Sequence, residues 1–182
     1  MAVELTAVLP QTVPYGQNVL FTEAPVRCTR GYVVHREGAG IVTLRGIVNG
    51  GSCNGCDIEL VAVLTPRYDA ERLGFRLAGT PRHADIVVVT GPITAQIKDR
   101  VLRTIEQVPE PRCIVTMGSC PASGNVFKDG YTFAGPLSKY VDVDVDIAGC
   151  AAKPETVLEG LYQAAQILEQ KRKAMKNKGG QI

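Results

Sequence analysis

The spacing of apolar residues changes along this chain, and the changes predict strands alternating with helices. Residues 41–48, Ile41 to Val48, read as a strand. Asp57 to Leu64 (Asp-Ile-Glu-Leu-Val-Ala-Val-Leu) reads as a helix with Asp57 as its N-cap, stopped by Pro66. Asp85 to Thr90 is almost wholly apolar, the mark of a strand buried on both faces of a parallel sheet. Gly91 and Pro92 then open a helix that places Ile93, Ile97, Val101, Leu102 and Ile105 on one face and Lys98, Asp99, Arg103 and Glu106 on the other. Pro109 and Pro111 close it. Cys113 to Met117 is a third strand and Val143 to Ala148 a fourth, the latter entered through the Val-Asp alternation of residues 141–146. A last helix runs from about Pro154 to Lys173, with Leu158, Leu161, Ala165 and Leu168 as its buried stripe and Pro154 suited to its first turn.

Strands alternating with helices imply a parallel sheet covered on both faces, with ligands bound in the crevice beyond the carboxyl ends of the strands. No internal repeat indicates a solenoid or propeller. In residues 1–40, Pro10, Pro14, Pro25 and several glycines disfavour long helices, so this part is expected to be an extended arm or small hairpin. The expected division is an N-terminal arm at 1–40, an α/β domain at 41–173 and a basic tail at 174–182.

Composition narrows the class. A chain of 182 residues, 45% hydrophobic and 21% charged, suits one globular domain with a full core. A net charge of +2, without aromatics interleaved among basic residues, gives no basis for nucleic-acid binding. The apolar runs are too short to span a bilayer, and the start of the sequence lacks a signal-peptide pattern. A cytoplasmic setting is expected, where six cysteines point to metal or redox chemistry rather than disulfides.

Four of those cysteines share one setting. Cys53 and Cys56 (Gly-Gly-Ser-Cys-Asn-Gly-Cys-Asp), Cys120 (Gly-Ser-Cys-Pro) and Cys150 (Ala-Gly-Cys-Ala) each follow a glycine near an expected strand end. Converging thiolates with close backbone amides suit an iron-sulfur cluster, and Gly50, Gly51, Gly55, Gly118, Gly124 and Gly149 allow such close approach. The same thiolates could form a tetrahedral zinc site, although structural zinc usually takes two closely spaced pairs. A redox pair of Cys53 and Cys56 is a third reading, one that leaves Cys120 and Cys150 without a role. Cys113 reads as a small hydrophobe in a strand, and Cys28 as an incidental thiol or a substitute ligand.

The motifs Gly-Ser-Cys-Asn-Gly-Cys-Asp-Ile-Glu (51–59), Thr-Gly-Pro-Ile-Thr (90–94), Gly-Ser-Cys-Pro-Ala-Ser-Gly (118–124) and Gly-Cys-Ala-Ala-Lys-Pro (149–154) stand in a familiar order. Over roughly residues 41–170 the chain resembles the small subunit of membrane-bound energy-converting NiFe hydrogenases, related to the 20 kDa iron-sulfur subunit of respiratory complex I. The Cys-x-x-Cys spacing is similar to the hydrogenase branch, since the complex I branch typically has two adjacent cysteines. The segment after Cys150 departs from a common proline-rich pattern.

The resemblance implies a flavodoxin-like fold and one 4Fe-4S cluster on Cys53, Cys56, Cys120 and Cys150, nearest the active centre of a large catalytic subunit. It implies electron relay between that centre and other iron-sulfur subunits, on the cytoplasmic face of the membrane. The membrane arm would be contacted only indirectly. An equivalent subunit of a complex I-like quinone- or sulfur-reducing enzyme is the alternative, and a zinc-stabilised scaffold a more distant one.

Glu59 is a candidate proton relay or an acidic residue favoured by the helix dipole. His35 and His83 lie away from the cysteine motifs and read as surface residues. Lys171, Arg172, Lys173, Lys176 and Lys178 read first as a solvated helix end, and second as a contact for anionic lipid or an acidic partner.

Overall fold

The computed structural model describes residues 42–179, so the expected arm over residues 1–40, with Cys28 and His35, lies outside the described residues. Five strands form one parallel sheet: β1 (Val42–Asn49), β2 (Phe75–Ala78), β3 (Ile86–Thr90), β4 (Cys113–Met117) and β5 (Val145–Ile147). Their spatial order is β2-β1-β3-β4-β5. This is the flavodoxin-like order, and its direction of winding reverses between β1 and β3. The helices are α1 (Gly55–Val63), α2 (Lys98–Glu106), the short α3 (Ser119–Ser123) and α4 (Pro154–Gly179).

Both faces of the sheet are covered, as the unbroken apolar runs require. Successive strand residues point to opposite faces. Ile86, Val88, Cys113, Val115 and Met117 therefore meet Leu60 and Val63 of α1 and Val157, Leu161, Ala165 and Leu168 of α4. On the other face Val87, Val89 and Ile114 meet Val101 and Ile105 of α2, with Leu137 from the loop before β5. Each fully buried Leu, Ile or Val side chain contributes about 1.5–3 kcal/mol of transfer free energy.

Several boundaries differ from the pattern reading. β2 has no counterpart among the expected strands. It has four residues, is buried only at its ends, exposes Leu77 and pairs with β1 alone. A short edge strand of this kind shows neither a continuous apolar run nor strict alternation. Residues 91–97 do not join α2, because their backbone groups are used elsewhere: the Ala95 N–H donates to the Thr132 carbonyl at 2.8 Å, and the Ala134 N–H to the Ile93 carbonyl at 2.8 Å.

At the other end, α4 continues past Lys173 to Gly179. Lys171 Nζ donates to Asp144 Oδ1 at 2.6 Å and to the Arg112 carbonyl at 3.0 Å, while Arg172 donates to Asp85 Oδ1 at 2.6 Å. The solvated role expected for Lys171 and Arg172 is thus corrected. Asp85 and Asp144 precede β3 and β5, and their carboxylates tie α4 to the amino ends of those strands. Lys173 stays exposed beside Glu169, and Lys176 is exposed. No helix among the described residues is long and apolar enough to cross a membrane.

Candidate functional site

The loop after β1 is folded by its own side chains. Asn49 Oδ1 accepts from the N–H groups of Gly51 (2.8 Å) and Ser52 (2.7 Å), and Ser52 Oγ accepts from the Asn54 N–H (3.0 Å). The end of β3 supports this loop from beneath. A Cβ on Gly91, whose φ is +76°, would collide with the Ser52 backbone nitrogen. α1 starts directly after Asn54, so Cys53 sits on the loop and Cys56 in the first turn of the helix.

The other two cysteines arrive from β4 and β5. The Gly118 N–H donates to the Ile147 carbonyl at 2.8 Å and the Ser119 N–H to the Gly149 carbonyl at 2.9 Å, joining the two strand ends. Cys120 therefore lies in α3 rather than on an open loop, and Cys150 follows Gly149. Glycine is required where these segments meet: a Cβ on Gly118 (φ +91°) would stand 2.6 Å from Cys56 Sγ. A Cβ on Gly55 would stand 3.5 Å from Ala151 Cβ and 3.6 Å from Cys53 Sγ. Cys53 and Cys150 are exposed, while Cys56 and Cys120 are half-buried.

The thiols also sense one another. Burial pushes the Cys56 thiol up, the Ala152 N–H opposes this, and Cys53, Asp57 and Cys150 push it further. Burial likewise raises Cys120, helped by Cys150, Cys56 and Cys53 and opposed by the Asn125 side chain. Among the described residues no three His, Cys, Asp or Glu side chains gather tightly enough to hold a single metal ion. Four mutually repelling soft donors with backbone N–H groups at hand are a donor set that suits iron-sulfur ligation.

Asp57 does not cap α1. The capping position belongs to Asn54, in left-handed backbone at φ 69°, and no side chain caps the helix there. Asp57 turns inward instead, accepting from Asn49 Nδ2 at 3.0 Å and Thr90 Oγ1 at 2.5 Å. This network was not legible in sequence, because its three residues meet only when β1, β3 and α1 come together. The one local signal is the Asn-Gly-Gly of residues 49–51, which begins at the last residue of β1 and has a composition suited to an Asx turn.

Glu59 falls in the second turn of α1 and is half-buried. Burial pushes the Tyr68 phenol up, its hydrogen bond to Glu155 at 3.1 Å and the Glu155 charge add to this, Arg67 opposes it, and the Glu59 charge makes a smaller upward contribution. Cys113 is fully buried in β4, and burial with Asp144 nearby pushes its thiol up to about 12. His83 is exposed on the amino-terminal side of β3.

Fold and site together define an α/β protein that gathers four cysteines at the carboxyl edge of a flavodoxin-like parallel sheet. Residues 53–164 match the family model of the NADH ubiquinone oxidoreductase 20 Kd subunit, and the chain belongs to that family. It is 50% identical over 121 residues (66% of this chain, 72% of the relative) to the probable membrane-bound hydrogenase subunit mbhJ of Pyrococcus furiosus. It is 41% identical over 118 residues (64% of this chain, 71% of the relative) to an NADH-quinone oxidoreductase subunit of Carboxydothermus hydrogenoformans. Among solved structures, the membrane-bound sulfane sulfur reductase, an archaeal respiratory membrane complex, contains a chain similar at TM-score 0.63 and 32% identity, covering 76% of this chain and 75% of that one. The relatives are subunits of oxidoreductase complexes, so the family read from the four motifs is borne out.

Proposed function

We propose that this chain is the electron-transfer subunit of a membrane-bound energy-converting NiFe hydrogenase, with one 4Fe-4S cluster on Cys53, Cys56, Cys120 and Cys150. The observation that carries this reading is the meeting of those cysteines from β1, β4 and β5 at one edge of the sheet, with Gly118 leaving room for Cys56 Sγ. Thiols from three segments sense one another, as the ligands of one polynuclear group must. When bound, the cluster supplies one-electron transfer. The chain's own residues hold it: the Asn49 and Ser52 turns set the Cys53 loop, α3 aims Cys120, and the Ala152 N–H faces Cys56.

The same reading places the arm at 1–40 and the cluster domain at 41–173, with the basic residues of 174–182 starting as the last turns of α4. It also places the chain at the cytoplasmic face of the membrane, between a large catalytic subunit and other iron-sulfur subunits. Glu59, whose charge reaches the Tyr68 phenol, is the proposed proton relay. Glu59→Gln is expected to slow turnover several-fold with the cluster spectrum intact.

The structural likeness to the sulfane sulfur reductase favours a second reading, the equivalent subunit of a sulfur-reducing complex. Anaerobic purification of the intact complex tests both. Cys120→Ala is expected to lose about one cluster's iron, sulfide and bleachable visible absorption relative to the wild-type complex; loss of stoichiometric zinc with iron unchanged would sink the cluster. Hydrogen-dependent dye reduction, and two Cys-x-x-Cys pairs in the large subunit, select the hydrogenase. Their absence with sulfur-dependent turnover selects the reductase.

A further inference from the structure

Asp57 presents a combination that its neighbours do not explain as packing alone. Its side chain is buried, and it follows Cys56 directly in the chain. None of the ion pairs among the described residues includes it. A buried carboxylate without a cation is costly unless hydrogen bonds hold the charged form.

The bonds here are arranged for that form. Asn49 Oδ1 is committed to the Gly51 and Ser52 N–H groups, which fixes the amide so that its Nδ2 donates to Asp57 Oδ2. The Thr90 hydroxyl donates to Asp57 Oδ1, so both carboxylate oxygens act as acceptors. The position in the first turn of α1 adds the favourable end of the helix dipole. Asn49 ends β1 and Thr90 ends β3, so one carboxylate joins both strand ends to the helix bearing Cys56. The turn that presents Cys53 hangs on the same Asn49.

We propose that Asp57 is a positioning residue that clamps the Cys53–Cys56 segment to the ends of β1 and β3 and keeps a fixed negative charge beside Cys56, lowering the reduction potential of the bound cluster. This inference rests on the cluster assignment made above. A nearby negative charge disfavours the added electron of the reduced state, and hydrogen bonds and net charge are recognised determinants of cluster potential.

The test is a dye-mediated redox titration, followed by electron paramagnetic resonance, of the whole complex purified anaerobically with wild-type chain, Asp57→Asn, Asp57→Glu or Thr90→Val. Asp57→Asn is expected to keep the cluster signal with its midpoint moved positive. Asp57→Glu, which keeps the charge, should return at least half of the way to wild type. An unchanged midpoint in Asp57→Asn, or a Glu variant that moves as far as Asn, overturns the proposal.

If Asp57→Asn does not assemble its cluster, Thr90→Val decides. It removes one of the two donors that hold the carboxylate in its charged form, so a midpoint moved positive supports the proposal and an unchanged one overturns it. A wild-type complex with no signal dependent on Cys53, Cys56, Cys120 or Cys150 would instead overturn the cluster assignment.

Discussion

Gly118 shows how much one missing side chain contributes to the site. An added methyl would meet Cys56 Sγ at 2.6 Å in backbone that L residues avoid, so Gly118→Ala should cost about 1–3 kcal/mol. It should also remove about four irons, those of one cluster, from each purified complex. Gly79→Ala is the control, since its Cβ would meet nothing within 4 Å, and equal iron in both variants would refute the steric argument.

Cys113, also a single residue, sets an alkaline dependence. Its folded thiol sits at about 12 against an ordinary 9.0, so folding favours the neutral form. This contribution is complete below about pH 9 and is lost as pH rises toward 12. Urea unfolding at about pH 8 and pH 10.5 should show wild type losing more stability than Cys113→Ala over that interval; parallel losses would show that the thiol does not contribute. The identities of these residues are plain in the sequence. That Gly118 faces a sulfur and Asp57 faces Thr90 is not, because both contacts join distant segments.

Among the elements, α4 packs on the sheet through a residue that helix propensity alone would replace. Gly160 is buried on α4, and a Cβ there would collide with Ile147 Cγ1. On an exposed helix Gly→Ala stabilises by about 1 kcal/mol. Here overpacking costs of about 1–3 kcal/mol should outweigh that gain and lower the melting temperature, whereas a rise would show that α4 and β5 separate easily. The buried stripe Leu161, Ala165 and Leu168 was readable from its spacing. The continuation of α4 beyond Lys173 and the ties of Lys171 and Arg172 to Asp144 and Asp85 were not, because a run of basic residues looks the same whether it is solvated or paired.

For the whole molecule, metal removal should loosen one edge and spare the rest. Without the proposed cluster, the thiols at three strand ends would lose their common partner, while the two-faced core around β3 and β4 would keep its cover. Hydrogen exchange after anaerobic chelation is therefore expected to rise at least tenfold across residues 50–56, 118–124 and 149–152 and to change little in 86–90 and 113–117. Uniform acceleration would mean that the cluster supports the entire fold.

The sequence by itself determined the alternation of strands and helices, the burial of β3 and β4 on both faces and the four cysteines as a set, since these follow from local periodicity and repeated Gly-Cys settings. Tertiary structure decided the edge strand β2, the inward turn of Asp57 and the meeting of the thiols. Each of those depends on which strand ends become neighbours in the β2-β1-β3-β4-β5 order, and local spacing does not encode that order.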